Sequence, residues 1–179
     1  MSTAPSASTG SGCHLRLATV DDAEAVRLIY NYEVEHTTAT FDLVPRSLDD
    51  QRRWLADRSG AFSAIVAVDD RSGEVLGFSS LSPYKERAAY RTSVEDSVYV
   101  RRDAHGRGIG KALLSHVLDL AADSGFHTVM ARIEASGTAS RALHASCGFQ
   151  LVGIEREIGR KFNRWLDVAL MQCLLDARR

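Results

Sequence analysis

A glycine-rich turn lies between a strand-like run and a helix-like run, and it limits the possible folds more than any other segment. The turn reads His105-Gly106-Arg107-Gly108-Ile109-Gly110-Lys111. Apolar residues precede it at positions 98–100 and follow it at helical spacing over positions 112–121. The first backbone N–H groups of a helix have no partner within the helix, and the helix dipole adds partial positive charge there. The segment therefore predicts a strand–turn–helix unit that binds an anion such as a phosphate group.

Length and composition favour one globular domain. The chain has 179 residues, of which 45% are hydrophobic and 25% charged, which is typical of soluble proteins. Its net charge of -1 gives no bulk attraction to nucleic acid or an anionic membrane, and no apolar run reaches membrane-spanning length. Its three cysteines suggest neither a disulfide framework nor a metal pair. We expect a cytoplasmic protein with a disordered tail at residues 1–12 and a single domain at residues 13–179.

The hydrophobic pattern predicts a mixed α/β fold. Strands are predicted at residues 14–17, 62–68, 75–81, 92–100, 127–133, 149–158 and 165–174. Helices are predicted after Asp21 and Asp22, from an N-cap at Ser47 to near Gly60, from the glycine turn to Gly125, and over residues 139–146 with Gly148 at C′. The resulting order, β-α-α-β-β-β-α-β-α-β-β, predicts a sheet with helices on both faces.

Two common phosphate-binding motifs do not fit the glycine turn. A Walker A loop requires Gly-Lys-Ser/Thr, but Ala112 follows Gly110-Lys111, and His105 stands where its first glycine belongs. A dinucleotide fingerprint requires G-x-G-x-x-G, and this turn reads G-x-G-x-G. A strand-to-helix turn without a ligand remains an alternative, because glycines mark turns in any case.

The turn with its flanking strand and helix resembles the pyrophosphate-binding segment of the GNAT superfamily of acyl-CoA-dependent N-acetyltransferases. Gly108 and Gly110 match the glycines of the family pattern Gln/Arg-x-x-Gly-x-Gly/Ala, with His105 in the Gln/Arg position. The resemblance implies the GNAT fold, a mixed and mostly antiparallel sheet with helices on both faces, and acetyl-CoA as co-substrate. It implies that the cofactor is bound by Val98, Tyr99, Val100, His105, Gly106, Arg107, Gly108, Ile109, Gly110 and Lys111.

Further segments resemble the phosphinothricin acetyltransferase subfamily, whose members acetylate the α-amine of phosphinothricin, methionine sulfone or methionine sulfoximine. The matching segments are residues 40–41, 54–55, 84–87, 90, 94–100, 143–144, 148–149, 159–162 and 165–167. This resemblance implies a small amino-acid-like acceptor, and it implies a homodimer by analogy.

Glu95 is the candidate general base. It lies within an apolar strand, where burial raises the pKa of a carboxyl group toward a range useful for accepting a proton from an amine. The resemblance places the catalytic glutamate of the subfamily at this position, acting directly or through water. A solvated residue on an edge strand is the alternative.

His144 is the second catalytic candidate, because the resemblance places it near the CoA sulfur as proton donor to the thiolate. A surface or core histidine without a catalytic role is the alternative. The other histidines show no metal-ligand spacing, and no metal is expected. Cys147 precedes a helix-ending glycine, where a buried small residue is expected rather than the nucleophile of a ping-pong mechanism. Gly137 stands where the family has an asparagine that holds the CoA arm, and Ser140 is retained.

The substrate side is predicted from a basic segment. Lys85, Arg87 and Arg91 alternate with Tyr84 and Tyr90, and the segment is either a solvated loop or a clamp for a carboxylate or phosphinate. The resemblance supports Lys85, Arg87 and Tyr90 in the second role, and it suggests that Phe41 and Trp165 line the pocket. Asp42 departs from relatives that carry arginine there, which leaves the identity of the acceptor open.

These features favour direct acetyl transfer to a small amine, and two alternatives remain open. One is an acetyltransferase for protein or peptide N-termini, and the other is a non-catalytic acyl-CoA sensor.

Overall fold

The computed structural model describes residues 7–9 and 12–175. The strands are β1 (Ala7–Thr9), β2 (Cys13–Leu17), β3 (Ile65–Asp69), β4 (Val75–Pro83), β5 (Ser93–Val100), β6 (Thr128–Glu134), β7 (Gln150–Lys161) and β8 (Arg164–Leu174). The helices are α1 (Ala23–His36), α2 (Leu48–Ala56), α3 (Ile109–Asp123) and α4 (Thr138–Ser146). Every strand and helix predicted from the sequence is present, in the predicted order. Ser47 is the N-cap of α2, and its side chain accepts a hydrogen bond from the Asp50 N–H.

The described strands form one sheet in the order β1-β2-β3-β4-β5-β6-β8-β7. All neighbouring strands are antiparallel except β5 and β6, which are parallel. The mixed, mostly antiparallel sheet is therefore confirmed.

Part of the segment predicted as a disordered tail is a strand in the structure. Residues 7–9 pair antiparallel with β2, Ala7 opposite Leu15 and Thr9 opposite Cys13. This strand has no sequence signal because Ser, Thr, Ala and Gly give no hydrophobic alternation, while an open sheet edge offers backbone hydrogen bonds to any sequence. Residues 1–6, 10 and 11 of the predicted tail lie outside the described residues, and Gly12 lies in the turn before β2.

Helices cover both faces of the sheet, as predicted. On one face, Val26 and Ile29 of α1 pack against Val66 and Phe78 of the sheet. On the other face, Leu114 and Val117 of α3 pack against strand side chains including Leu81, Val94 and Val129. Because side chains alternate along a strand, successive residues of β5 point in turn toward the α1 face and the α3 face, and so do successive residues of β6. This alternation decides which residues can meet in the site.

The parallel strands β5 and β6 separate after a short stretch of pairing. They pair only at Ser93–Thr128, Val94–Val129 and Glu95–Met130. Beyond that point β5 stays paired with β4 as far as Val100, and β6 stays paired with β8 as far as Glu134. The separation opens the sheet between β5 and β6, two of its interior strands.

Candidate active site

The opening between β5 and β6 leads into a cleft of about 890 Å³. The start of α3, the start of α4, the C-terminal end of α1 and the loop after α1 form the rest of its wall. The residues predicted to bind the cofactor line this cleft with one exception, Arg107, and so do Glu95, His144 and Phe41. The separation of the strands thus brings together residues that lie far apart in the sequence.

The main chain of β5 presents hydrogen-bonding groups to the cleft. The Arg101 N–H donates to the Leu76 carbonyl oxygen on the β4 side at 2.8 Å. Since successive residues direct their backbone groups to alternate sides of a strand, Val98 and Val100 direct theirs toward the cleft. Amide groups fixed in this way can bind an extended polar ligand or an oxygen that gains negative charge. The side chain of Tyr99 instead packs against Tyr30 and Phe78.

The glycine turn leaves the first turn of α3 open. Gly108 is the N-cap with φ +77° in the left-handed region, which glycine adopts without a steric penalty. No side chain caps the helix, and its first turn contains no acidic residue, so the N–H groups remain available for an anion. Gly110 has a different role, because a Cβ there would lie 3.2 Å from Leu143 Cδ2 of α4. The turn therefore combines an open helix terminus with close packing of α3 against α4.

Two side chains of the turn form bonds to the protein. The His105 ring donates from Nε2 to the Val100 carbonyl oxygen at 2.9 Å, because a carbonyl only accepts. The Arg107 guanidinium donates to Asp69 Oδ2 at 3.0 Å and does not line the cleft. These bonds tie the turn to β5 and to the β3–β4 hairpin.

A buried Asp–His pair lies on the α4 side of the cleft. His144 Nε2 lies 3.1 Å from Asp96 Oδ2, and Nδ1 lies 2.7 Å from the Ser140 carbonyl oxygen. Burial lowers the pKa of His144, but the hydrogen bond and charge of Asp96, together with the Ser140 carbonyl, outweigh it and raise that pKa. Gly137 is the N-cap of α4 and lines the cleft with Ser140.

Asp96 was missed in the sequence analysis. Glu95 and Asp96 are consecutive carboxylates in an apolar strand, so the alternation of side chains places one on each face of the sheet. Asp96 shares its face with Val94, which packs against α3, whereas Glu95 points to the α1 face. The two adjacent acidic residues are the signal that could have predicted a second functional carboxylate.

Glu95 lies on the opposite face of the sheet in a mixed electrostatic environment. Burial is the largest influence and raises the pKa of Glu95. The charges of Asp96 and Glu155 raise it further, while the Arg132 guanidinium opposes them. A carboxylate with these properties can accept a proton at a higher pH than an ordinary glutamate does.

Arg132 is the second residue missed by the sequence analysis. It follows Met130 on the same face of β6 as Glu95, and it lines the cleft. Its Nη2 lies 2.8 Å from Glu155 Oε2, and both side chains are about one-third exposed, at 35%. An arginine within a strand carries no motif of its own, so only the pairing of the strands reveals its position beside Glu95.

Two contacts hold Phe41 and its loop against β7. A Cβ on Gly159 would lie 2.1 Å from Phe41 Cε2, so the aromatic ring packs directly on the glycine backbone. The buried Lys161 ammonium donates to the carbonyl oxygens of Thr40 at 2.8 Å and Glu33 at 3.3 Å. Burial lowers the pKa of Lys161. The loop that carries Phe41 is therefore held in place by residues of β7.

Asp42 points away from the cleft. Its Oδ2 accepts a hydrogen bond from the Tyr30 hydroxyl at 2.6 Å and lies 3.7 Å from Arg46 Nη2. The residue therefore secures the base of the Phe41 loop. Trp165, which was expected to line the pocket, is instead 61% exposed and does not line the cleft.

The predicted basic clamp lies elsewhere. Lys85, Arg87 and Tyr90 line a separate cavity of about 460 Å³ together with Glu86. The Lys85 ammonium lies 4.9 Å from the Tyr84 ring centroid and 5.2 Å from that of Tyr90. The structure does not bring these three residues together with Glu95, and their role in binding substrate stays a prediction.

A glutamate at the C-terminal end of α1 connects the two ends of the cleft. The Arg102 guanidinium donates to both carboxylate oxygens of Glu33, at 3.0 Å and 2.6 Å. Arg102 lies just before the glycine turn, and Glu33 lies just before the Phe41 loop. Bidentate geometry of this kind fixes orientation as well as distance.

Within residues 7–9 and 12–175, no group of three or more His, Cys, Asp or Glu side chains is arranged to hold a metal ion. The same part of the chain contains no helix that is both long and apolar enough to cross a membrane.

Comparison with known families identifies one match that spans most of the chain. Residues 15–170 match the acetyltransferase (GNAT) domain family. The chain is 42% identical over 151 residues to a phosphinothricin N-acetyltransferase of Streptomyces coelicolor, covering 83% of this chain and 88% of the relative. It is 38% identical over 165 residues to an L-methionine sulfoximine/L-methionine sulfone acetyltransferase of Pseudomonas aeruginosa, covering 92% and 96%.

Solved structures of acetyltransferases also match this chain over most of its length. An acetyltransferase of Salmonella typhimurium, solved with its cofactor acetyl-CoA, superposes with a TM-score of 0.88 at 34% identity, covering 92% of this chain and 95% of the other. A ribosomal-protein-alanine N-acetyltransferase of Brucella melitensis superposes with a TM-score of 0.85 at 38% identity, covering 89% and 98%.

Proposed function

This chain belongs to the GNAT acetyltransferase family, within the group that includes phosphinothricin and methionine sulfoximine/sulfone acetyltransferases, and on that premise we propose its reaction. The protein transfers the acetyl group of acetyl-CoA to the α-amine of a small amino-acid-like acceptor. Phosphinothricin, methionine sulfone and methionine sulfoximine are the acceptor types to test first. Transfer is direct, with Glu95 as general base, and requires no metal.

The cleft between β5 and β6 is the observation that carries the proposal. At one end it offers the open helix terminus of α3, which suits the pyrophosphate of CoA. Along its length it offers the N–H groups of Val98 and Val100, which suit the pantetheine arm and the acetyl oxygen. Ligands arranged in this way place the thioester where the strands separate, next to Glu95. No protein nucleophile is needed, and Cys147 is buried at the C-terminal end of α4.

Glu95 acts on the amine before attack. An α-ammonium group is mostly protonated near neutral pH and must lose a proton to become a nucleophile. The raised pKa of Glu95 makes its carboxylate a better proton acceptor than an ordinary glutamate. Attack of the neutral amine on the thioester carbonyl then gives a tetrahedral intermediate, whose oxyanion is stabilised by the β5 amides.

Arg132 binds the acceptor carboxylate in this proposal. An α-amino acid carries its carboxylate one carbon away from the reacting amine, so a cation that binds it must lie close to the base. Arg132 is on the same face as Glu95 and lines the cleft, and a guanidinium can bind a carboxylate through two parallel hydrogen bonds. Phe41 covers the remaining side of the acceptor site.

Release of free thiol from acetyl-CoA tests the proposed reaction. The enzyme is incubated with acetyl-CoA and methionine sulfone, methionine sulfoximine, phosphinothricin, unmodified amino acids, short peptides or no acceptor. Thiol release with the small amino acids alone supports the proposal. Acetyl-CoA binding without release for any acceptor would instead indicate a sensor that binds acyl-CoA but does not transfer it.

A second candidate function is acetylation of protein or peptide N-termini. The structural similarity to the ribosomal-protein-alanine N-acetyltransferase favours including it. A peptide N-terminus has no α-carboxylate, so the same panel distinguishes the two functions. Faster release with alanine-initiated peptides than with free amino acids would support the second candidate.

Substitutions of Arg132 and Arg87 test where the carboxylate binds. Arg132→Gln is expected to raise KM for methionine sulfone strongly, and to remove the preference for methionine sulfone over its carboxamide. Arg87→Gln is the matched control in the separate cavity and should leave both quantities unchanged. The opposite result would assign the clamp to the Lys85–Arg87 segment, as the sequence resemblance implied.

The free edge of the sheet is suited to a homodimer, which we include in the proposal. β7 is an edge strand, and its side chains Leu151, Val152, Ile154 and Ile158 are between 41% and 59% exposed. Exposed apolar residues on an open edge favour association. Sedimentation should show a dimer in the wild type and a monomer in Val152→Lys. We also expect a cytoplasmic location, which fractionation of cells would test.

A further inference from the structure

The bonds of His144 do not fit a simple donation of its proton to the thiolate. A histidine that acts alone in that role would have a ring N–H without a protein partner. Both ring nitrogens instead contact the protein, Nδ1 at 2.7 Å from the Ser140 carbonyl oxygen and Nε2 at 3.1 Å from Asp96 Oδ2. The side chains are almost completely buried, with exposures of 3% for His144 and 1% for Asp96.

The partners of the ring fix how many protons the pair holds. A backbone carbonyl can only accept a hydrogen bond, so Nδ1 carries a hydrogen. The contact between Nε2 and the carboxylate oxygen needs one more proton, which lies on the ring or on the carboxyl group. The Asp96–His144 pair therefore holds one more proton than a neutral imidazole beside a carboxylate would. That additional proton is available for transfer.

An aromatic ring packs against the pair, and the charged side chains around it are not hydrogen-bonded to His144. The Phe149 ring meets the His144 ring edge-to-face, with the centroids 5.0 Å apart. The other charged side chains that line the cleft are Glu33, Glu95, Arg102, Lys111, Arg132 and Glu134, and α4 also carries Arg141. Among the residues that the structure describes, His144 is bonded to no charged side chain other than Asp96.

Asp96 also has an oxygen without a partner. Its Oδ1 is buried and forms no hydrogen bond within the described part of the chain, although Asp96 lines the cleft. A buried carboxylate oxygen without a donor is costly unless a ligand or a proton satisfies it. The carboxylate is thus the member of the pair that retains bonding capacity.

We propose that Asp96 is a positioning residue that keeps His144 doubly protonated, so that the pair supplies the proton required by the departing CoA thiolate. The proposal rests on the acetyl transfer proposed above. When the intermediate collapses, the C–S bond breaks and leaves its electron pair on sulfur. The S–H bond forms with the proton held between Nε2 and Oδ2, and the bond that held this proton breaks.

The proton balance closes over one cycle. After transfer, the pair is a carboxylate beside a neutral imidazole, whose unprotonated Nε2 faces an acceptor. This arrangement is unfavourable and draws a proton back from solvent. The amine loses two protons in becoming an amide: Glu95 passes the first to solvent, the second also reaches solvent, and solvent returns one proton to the pair in place of the one given to sulfur. One proton is released overall for each ammonium acetylated.

The protonation state of His144 tests the proposal without an activity assay. NMR of protein labelled with ¹⁵N-histidine, assigned by comparison with His144→Gln, reports whether each ring nitrogen carries a hydrogen. In the wild type, we expect both His144 nitrogens to be protonated at pH 7 or the extra proton to be shared with Asp96. A His144 that holds a single proton and does not share it overturns the proposal, even if no Asp96 variant can be purified.

Asp96→Asn provides the kinetic test. Asparagine has nearly the same shape but no charge, so His144 should become neutral at pH 7. We expect kcat at saturating acceptor to fall by about tenfold to a hundredfold, which lies at or below the usual range for loss of acid catalysis. The alkaline limb of the kcat–pH profile should move to lower pH. His144→Gln and the double variant should show similar losses, because the two residues act as one unit.

Asp70→Asn is the matched control. His14 and Asp70 form an Asp–His contact at 2.7 Å outside the cleft, with exposures of 34% and 42%. This variant should leave kcat and its pH profile unchanged. If Asp96→Asn lowers only thermal stability and His144 stays doubly protonated, Asp96 has a merely structural role and the proposal fails. Absence of thiol release in every wild-type assay would contradict the proposed function, whereas the NMR result would still report on the pair.

Discussion

The two ends of the cleft are built in different ways. The end at the glycine turn consists of one continuous segment, and it presents backbone N–H groups fixed by left-handed glycines and the start of α3. The acceptor end is assembled from Phe41, Glu95, Arg132 and Gly159, which come from different strands and a loop. One end therefore depends on main-chain geometry, and the other depends on side chains that long-range packing brings together.

This difference predicts how each end responds to mutation. Changing a side chain at the glycine turn alters little unless it changes the backbone conformation. In the proposed reaction, changing a side chain at the acceptor end removes a group that contacts the substrate or displaces a neighbour that does. Variants at both ends of the cleft test this difference in their response to mutation.

Glu95→Gln is expected to have the largest effect. Removal of the base should lower kcat by about 10²- to 10⁴-fold, the usual contribution of general base catalysis. Binding of acetyl-CoA, measured by calorimetry, should be unchanged because Glu95 lies at the acceptor end of the cleft and not at the glycine turn. Normal turnover at saturating acceptor would exclude Glu95 as the base.

The pH dependence of the wild type provides a second measurement on Glu95. A base acts only when deprotonated, and burial raises the pKa of this carboxyl group. The acidic limb of kcat/KM should therefore lie above the ordinary glutamate value of about 4.3 and disappear in Glu95→Gln.

Gly159→Ala should selectively damage the acceptor end. The new Cβ would overlap the Phe41 ring, and overpacking of this kind costs about 1–3 kcal/mol. We expect a clear rise in KM for the acceptor with little change in KM for acetyl-CoA. Gly153→Ala is the matched control on the same strand, because a Cβ there meets nothing within 4 Å. Equal effects of the two substitutions would show that the Phe41 contact does not shape the acceptor site.

Gly108→Ala should selectively damage the cofactor end. Its left-handed conformation costs a residue with a Cβ about 1–2 kcal/mol, so the turn should shift and the Kd for acetyl-CoA should rise by about tenfold. Gly125→Ala controls for strain alone, since Gly125 has φ +82° just after the C-terminal end of the same helix. The control should lower thermal stability without changing the Kd. If both variants bind acetyl-CoA normally, the geometry of the turn is not needed for binding.

Arg107→Ala should have the smallest effect, although it removes a positive charge from the turn predicted to bind phosphate. The side chain is bonded to Asp69 and does not line the cleft. We expect the Kd for acetyl-CoA to change by less than about threefold, the scale of a surface ion pair. A loss as large as that of Gly108→Ala would show that side-chain charge contributes as much as the backbone does.

The sequence predicted the strand–turn–helix unit at the glycine turn because its signals are local. Gly108 and Gly110 follow an apolar strand and open an amphipathic helix, and each of these features is visible within a few residues. The strand and helix order followed from hydrophobic periodicity in the same way. Residues 7–9 were the exception, since their pairing with β2 depends on the free edge of the sheet rather than on their own composition.

The acceptor end could be predicted only in part. The apolar strand and the family resemblance predicted Glu95, and the resemblance predicted Phe41, whereas the positions of Arg132 and Lys161 became visible only when the strands were paired. Lys161 lies 121 positions from Thr40, whose carbonyl oxygen it binds. No local pattern specifies such a contact. The alternation of side chains could have shown that Glu95 and Asp96 lie on different faces of the sheet. It could not have shown that Asp96 contacts His144.

The packing of Phe41 on Gly159 also limits how an enzyme of this kind can diverge. A larger residue at position 159 has no room while Phe41 is present, so selection on that position alone finds almost no acceptable change. A smaller residue at position 41 must come first, and only then does position 159 become free to vary. New acceptor preferences that depend on this wall would therefore arise through an ordered pair of substitutions, the first of which opens space that the second can fill.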